Sequence, residues 1–164
     1  MHRLTLTAVC ASGALAIVAA PAAADERTCR GTLGAITVDN LRVPQGATCT
    51  LNGTRLKGQL VVERSATLNA TRIAVNGNVQ AEGARSVRVA SSTVGGSIQV
   101  KQGGGADVRS NRVTGDVQFF TNRGSIVVAS NRVNGNLQCK ENVPAPTGGG
   151  NVVQGNKEDQ CARL

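Results

Sequence analysis

The chain has 164 residues, a formal charge of +8 and a single histidine, His2. It lacks tryptophan and tyrosine, and its two aromatic residues are Phe119 and Phe120. Platforms that stack sugars or nucleobases are built on aromatic faces, so neither is expected, and downstream of His2 no nucleophile can be paired with a histidine base.

Residues 1–24 read as a secretory signal peptide. Arg3 gives a short positive start, Leu4 to Ala20 is mostly apolar, and Ala22-Ala23-Ala24 offers a small-residue cleavage site before Asp25. The apolar stretch is short for a membrane span and is interrupted by Thr5, Thr7, Ser12 and Gly13. Export is therefore expected, leaving 25–164 as one domain, secreted or in the cell envelope, with no membrane anchor. Arg3 leaves without an acid, so that domain carries +7. A basic exported protein is drawn to anionic surfaces.

From Gly58 onward a glycine returns at Gly77, Gly96, Gly115, Gly135 and Gly155, in steps of 19, 19, 19, 20 and 20 residues. The surrounding text repeats with it: LKGQLVV, VNGNVQA, VGGSIQV, VTGDVQF, VNGNLQC and, more weakly, VQGNKED. A fixed short period is the mark of a solenoid, whose repeats bury apolar residues only by stacking on their neighbours. Two before the glycine stand Leu56, Val75, Val94, Val113, Val133 and Val153; two after it stand Leu60, Val79, Ile98, Val117 and Leu137. Four after it come Val62, Ala81, Val100, Phe119 and Cys139. This period-two alternation predicts strands with one buried face. A second alternating segment lies upstream, with Leu68, Val87 and Ile126, then Leu51, Val89, Val108 and Val128. Turn-like clusters separate the strands: Glu82-Gly83-Ala84, Gln102-Gly103-Gly104-Gly105 and Asn122-Arg123-Gly124. No helical apolar stripe occurs in 25–164. The fold class expected is all-β, a parallel β-helix solenoid of about seven coils with two or three short strands each. The first coil, around Asp39, Leu41 and Val43, and the last, with Lys157, Glu158 and Asp159, depart from the consensus as end repeats do.

Without Cys10, four cysteines remain in an exported chain, and disulfides are expected. Cys29 and Cys49 are 20 apart and Cys139 and Cys161 are 22 apart, each close to one period. Adjacent rungs lie ~4.8 Å apart, a separation that a disulfide tolerates. The pairing expected is Cys29–Cys49 and Cys139–Cys161, one staple at each end. No metal site is read, because these thiolates lack histidine and C-x-x-C spacing.

Four before the glycine, the later coils carry Asn111, Asn131 and Asn151, preceded by Ser110, Ser130 and Gly150. Asparagine tolerates the left-handed conformation of a tight bend, and stacked amides can bond from rung to rung. Here the chain resembles the right-handed parallel β-helix proteins of the pectate-lyase-like superfold, which use such asparagine ladders at a turn. The resemblance implies a right-handed coil. It also implies an acidic-polysaccharide lyase as one possible activity, with arginine or lysine as base and acids holding calcium. The chain is similar to bactofilin-like filament formers in size and coil count, but those are cytoplasmic. The hexapeptide pattern of left-handed β-helices is absent.

Catalysis is not expected. Asp39, Glu63, Glu82, Asp107, Asp116, Glu141, Glu158 and Asp159 are scattered over different columns; apart from Glu63 and Glu82, one period apart, none recur on neighbouring rungs as a calcium cluster would require. No cofactor motif is present. Candidate binding residues are two columns. Three before the glycine, Arg112 and Arg132 occupy equivalent places on adjacent rungs, with Arg55 in the same column further away. Like charges directly opposite are unfavourable, and guanidinium groups pair bidentately with carboxylate or phosphate, so an anion is invited between them. The alternative is solvated arginines bonded to Asp107 or Asp116. Three after the glycine run Gln80, Gln99, Gln118 and Gln138, a column that either binds glycan hydroxyls or satisfies itself as an amide ladder. Thr48-Cys49-Thr50 is the single Thr-x-Thr of 25–164, so an ice-binding face is not expected. Asn52-Gly53-Thr54 and Asn69-Ala70-Thr71 match the glycosylation acceptor pattern.

The expected function is a non-enzymatic module that binds anionic polymer, acidic polysaccharide or envelope polymer, through an Arg/Gln face. Nucleic acid is not expected as a specific ligand. The alternatives are a structural or self-associating extracellular protein and a minimal polysaccharide lyase.

Overall fold

Each glycine-centred repeat makes one turn of a parallel β-solenoid of about seven turns in the computed structural model, which describes residues 25–164. The expected signal segment, residues 1–24, lies outside the described residues. The described residues contain no helix; 22 short strands form three parallel sheets of eight, seven and seven strands. One coil shows the plan. Ile98–Lys101 lies in the first sheet, Gly105–Arg109 in the second and Arg112–Val113 in the third, and Val117–Phe120 returns to the first sheet one rung on.

Alternation within each strand decides what fills the bore. Leu41, Leu60, Val79, Ile98, Val117 and Leu137 are register partners along the first sheet, and each is 0% exposed. Val43, Val62, Ala81, Val100, Phe119 and Cys139 form the neighbouring inward column. Stacking like on like removes each apolar side chain from water through its neighbours above and below. The step from a 19- to a 20-residue coil is absorbed at a corner. Lys101 still pairs with Phe120, 19 on, but Ala106 pairs with Ile126, 20 on, so the extra residue lies in the turn 121–125.

The three corners use two kinds of chemistry. Between the third and first sheets the recurrent glycines stack, each donating its N–H to the carbonyl of the glycine below: Gly77 to Gly58 at 2.9 Å, Gly96 to Gly77 at 3.0 Å, Gly115 to Gly96 at 2.9 Å. After Gly77, Gly96, Gly115 and Gly135 the next residue turns its side-chain oxygen up to the following rung, as Asn78 Oδ1 does for Ser97 N (2.8 Å) and Asp116 Oδ1 for Asn136 N (2.7 Å). The other two corners each carry a residue with positive φ. Ser91, Ser110, Ser130 and Gly150 serve at the second-to-third corner, and Gly83, Gln102, Thr121 and Glu141 at the first-to-second.

The asparagine ladder forms, with one correction. The left-handed residue is the serine or glycine before each asparagine, at φ 56° for both Ser110 and Ser130. The asparagines themselves turn inward, nearly unexposed. Asn111 Nδ2 donates to Val89 O (2.8 Å) and to Asn131 Oδ1 (3.0 Å), and Asn131 repeats this toward Val108 O and Asn151. A parallel ladder at the other corner, Asn122–Asn142–Gln160, has the same geometry. Every buried side-chain nitrogen and oxygen of the described residues has a partner.

The pairs Cys29–Cys49 and Cys139–Cys161 are bridged, with Cα separations of 5.6 and 5.2 Å. Neither bridge joins equivalent positions on adjacent rungs, which was the expected reason for the pairing. The first coil is short, Glu26 pairing with Asn40, so Cys29 directly follows the first-sheet strand Glu26–Thr28 while Cys49 stands in the second sheet opposite Leu68. Cys161 belongs to a turn after the last strand, held by Cys161 N to Glu158 O (3.0 Å), which folds it over the end of the bore. Both bridges fasten end coverings to the core. Replacing Cys139 and Cys161 by serine is expected to cost about 3 kcal/mol on the chain-entropy model. Amide exchange should rise first in the last coil; uniform exchange along the solenoid would contradict the end-staple role.

Charge guards the ends as well. The inward column Leu41 to Leu137 is terminated by Arg27, paired with Leu41, and by Lys157, paired with Leu137, both exposed. Charges at inward positions on edge strands discourage further strand addition. Head-to-tail stacking in continued register would set Lys157 against Arg27, two like charges.

Candidate functional site

Val113 and Val133 are buried, so alternation turns Arg112 and Arg132 outward from the third sheet. The two arginines are direct register partners, and the column continues through Thr93, Ala74 and Arg55 on one side and Val152 on the other. Arg55 is thus three rungs from Arg112 and does not join the pair. The backbone beneath is fixed: Arg112 N bonds Ser92 O at 2.9 Å and Arg132 N bonds Asn111 O at 2.8 Å. Beside them the left-handed corner presents Ser91, Ser110 and Ser130, all exposed. Serines and arginines together line a shallow groove of about 370 Å³.

Electrostatically this groove is one-sided. Among the described residues neither Arg112 nor Arg132 makes an ion pair. Asp107, a possible partner on the sequence, instead faces Arg109, with Arg88 Nη1 at 3.8 Å. Asp116 Oδ1 accepts from the backbone N–H of Asn136. The contrast is Arg42 at the N-terminal end, whose guanidinium meets Glu26 (2.8 Å) and Glu63 (3.0 Å). The hydrogen bond with Glu26, then that carboxylate's charge, outweigh desolvation and, with help from Glu63, raise the Arg42 pKa further above its ordinary value.

The glutamines align on the first sheet, Gln80, Gln99, Gln118 and Gln138 being successive register partners. Gln118 Nε2 donates to Gln138 Oε1 (2.7 Å) and Gln138 Nε2 to Glu158 Oε2 (2.8 Å), so the later half of the column is a bonded amide ladder. Gln80 and Gln99 stay outside that chain of bonds. The glycine corner separates this column from the arginines: the two sets lie on different sheets and do not share one face.

No family model matches the chain, and no curated protein or solved structure matches it significantly. The reading of the site therefore rests on its own chemistry. Among the described residues no three of His, Cys, Asp and Glu come together, and no helix is long and apolar enough to cross a membrane.

Some surface features escaped the linear reading. Phe119 is buried in the bore, but Phe120 turns outward between its register partners Lys101 and Lys140, with Lys101 Nζ 5.7 Å from the ring centroid. On the second sheet, register sets Thr48 beside Thr67 and Thr67 beside Ser86, Thr50 beside Asn69, and Asn52 beside Thr71. One Thr-x-Thr in the text is thus part of a wider hydroxyl and amide patch. The first acceptor-like triplet, Asn52-Gly53-Thr54, is committed within the fold: Thr54 is fully buried and bonds Gly34 O (2.7 Å), and Asn52 Oδ1 accepts from Arg72 Nη2 (2.8 Å).

Proposed function

We propose that this protein is a secreted, non-enzymatic β-helix module that binds an anionic polymer, an acidic polysaccharide or a cell-envelope polymer, through Arg112 and Arg132. The observation that carries this reading is the stacking of two exposed arginines on adjacent rungs with no acid facing them. Holding like charges together on a rigid sheet is unfavourable until an anion neutralises them. The rung register holds the two backbones one strand spacing apart, so both guanidinium groups can converge on one anion. Glutamine plays a lesser part, since Gln118 and Gln138 are already committed to the ladder; Gln99 remains open to a polymer that wraps past the glycine corner.

The handedness proposed is right-handed, because crossovers between parallel strands of one sheet take that hand almost without exception. Two disulfides in the described chain agree with an oxidising location outside the cell, and the N-terminal segment supports export.

The test is a set of binding isotherms against an acidic polysaccharide, neutral dextran and DNA, each over a range of salt. Binding to the acidic polymer should weaken with salt, because neutralising contacts release counterions. Arg112→Ala/Arg132→Ala should lower affinity about tenfold or more at low salt, since charge-assisted hydrogen bonds are worth ~1.5–3 kcal/mol each. Unchanged affinity in the double variant, or equal binding to dextran, overturns the proposal. Concentration-dependent sedimentation insensitive to polyanion would move the structural, self-associating reading forward.

A further inference from the structure

The groove's donor inventory specifies the anion more closely. Arg112 and Arg132 stand on neighbouring rungs, ~4.8 Å apart at the backbone, and the corner adds the hydroxyls of Ser91, Ser110 and Ser130. Among the described residues those hydroxyls make no hydrogen bond within the protein, and no carboxylate lines the groove. The site thus offers two planar five-donor forks and three rotatable hydroxyls, with no competing anionic acceptor.

A carboxylate has one charge and two oxygens in a plane. It satisfies one guanidinium bidentately and leaves the second arginine's charge unmatched. Two carboxylates of a polymer would have to meet two arginines only one rung apart, crowding like charges of their own. A phosphate monoester has three terminal oxygens in a tetrahedral fan and approaches two charges at neutral pH. It can accept from both guanidinium groups at once and turn its remaining oxygen to a serine hydroxyl, and its charge matches the pair.

We infer that the Arg112–Arg132 groove, with Ser110 and Ser130, is a phosphate-group site, so that the polymer recognised carries phosphate monoesters rather than carboxylates alone. This inference rests on the anion-binding reading above and narrows it.

The protein itself supplies the control. No histidine occurs among residues 25–164, and serine, threonine, asparagine and arginine alone line the groove, residue types that do not change charge between pH 5 and 8. A change in affinity over that range therefore reports the ligand. The second ionisation of a phosphate monoester lies near pH 6, whereas carboxylates are fully charged above about pH 5.

The experiment is isothermal titration of the protein at fixed low ionic strength, at pH 5.0, 6.0 and 7.5. The probes are a phosphomonoester-bearing oligosaccharide, a polyuronate and inorganic phosphate. The expected result is phosphosaccharide affinity rising about tenfold from pH 5.0 to 7.5, flat and weaker uronate binding, and loss of the pH-dependent part in Arg112→Ala/Arg132→Ala. Ser110→Ala/Ser130→Ala should reduce phosphate affinity several-fold and leave the uronate unchanged. Circular dichroism and thermal unfolding of each variant confirm that it is folded. Uronate binding equal to or tighter than phosphosaccharide, with no rise across pH 6, overturns this inference while leaving the anionic-polymer reading intact. Failure of every probe to bind through the two arginines overturns both.

Discussion

Asn131→Ala is expected to destabilise the protein by about 4 kcal/mol, since each buried polar group left unsatisfied costs ~1–3 kcal/mol. Asn131 is 1% exposed and every polar atom of its side chain is used. Its Oδ1 accepts from both Asn111 N and Asn111 Nδ2 at 3.0 Å, and its Nδ2 donates to Val108 O (2.8 Å) and Asn151 Oδ1 (2.9 Å). Removing the amide strips partners from three residues on the two flanking rungs, in a corner that water reaches poorly. Asn134→Ala, in the same coil but exposed, should stay within about 0.5 kcal/mol of wild type. Thermal unfolding of the pair decides the matter: a fall on the order of 10 °C in Tm for Asn131→Ala against little change for Asn134→Ala is expected. Equal shifts would mean that the ladder contributes no more than a surface amide.

A comparable loss, about 3 kcal/mol, is expected of Gly96→Ala, at the upper end of the usual range for overpacking. The φ of Gly96 is not in the left-handed region, so alanine suits its backbone; the obstacle is space. A Cβ there would lie 2.8 Å from Gly77 O and 2.9 Å from Gly77 C, and against Asn78 Oδ1. Backbone cannot rotate aside as a side chain can. The rungs would have to separate at this corner, stretching the bond from Gly96 N to Gly77 O. Gly34→Ala provides the opposite case, because an added Cβ there meets nothing within 4 Å. It should be neutral or slightly stabilising through the unfolded chain. Chemical denaturation of both variants would refute the steric account if Gly96→Ala kept the wild-type midpoint.

The glycine period was legible because sequence and structure share one cause. A rung repeats its neighbour's contacts, so the same residue types must recur wherever the same space recurs. The period, inward columns such as Val79–Ile98–Val117 and the asparagine ladder at 111, 131 and 151 all follow from that. The ladder at Asn122 and Asn142 was harder to see, because only two coils carry asparagine there and Gln160 completes it from the end covering.

What the sequence by itself determined is local to the repeat: the strands, the buried side of each strand, and the arginine and glutamine columns; at the second-to-third corner it placed the bend but not which residue takes the left-handed conformation. What only the tertiary structure decided is how the columns lie relative to one another around the coil. The glycine corner turns the chain between Arg112 and Gln118, so two columns six residues apart in the text face different ways. Partner choice was likewise settled in three dimensions. Asp107 lies five residues from Arg112 yet faces Arg109 and Arg88, because strand alternation and rung register, rather than distance along the chain, govern which side chains meet.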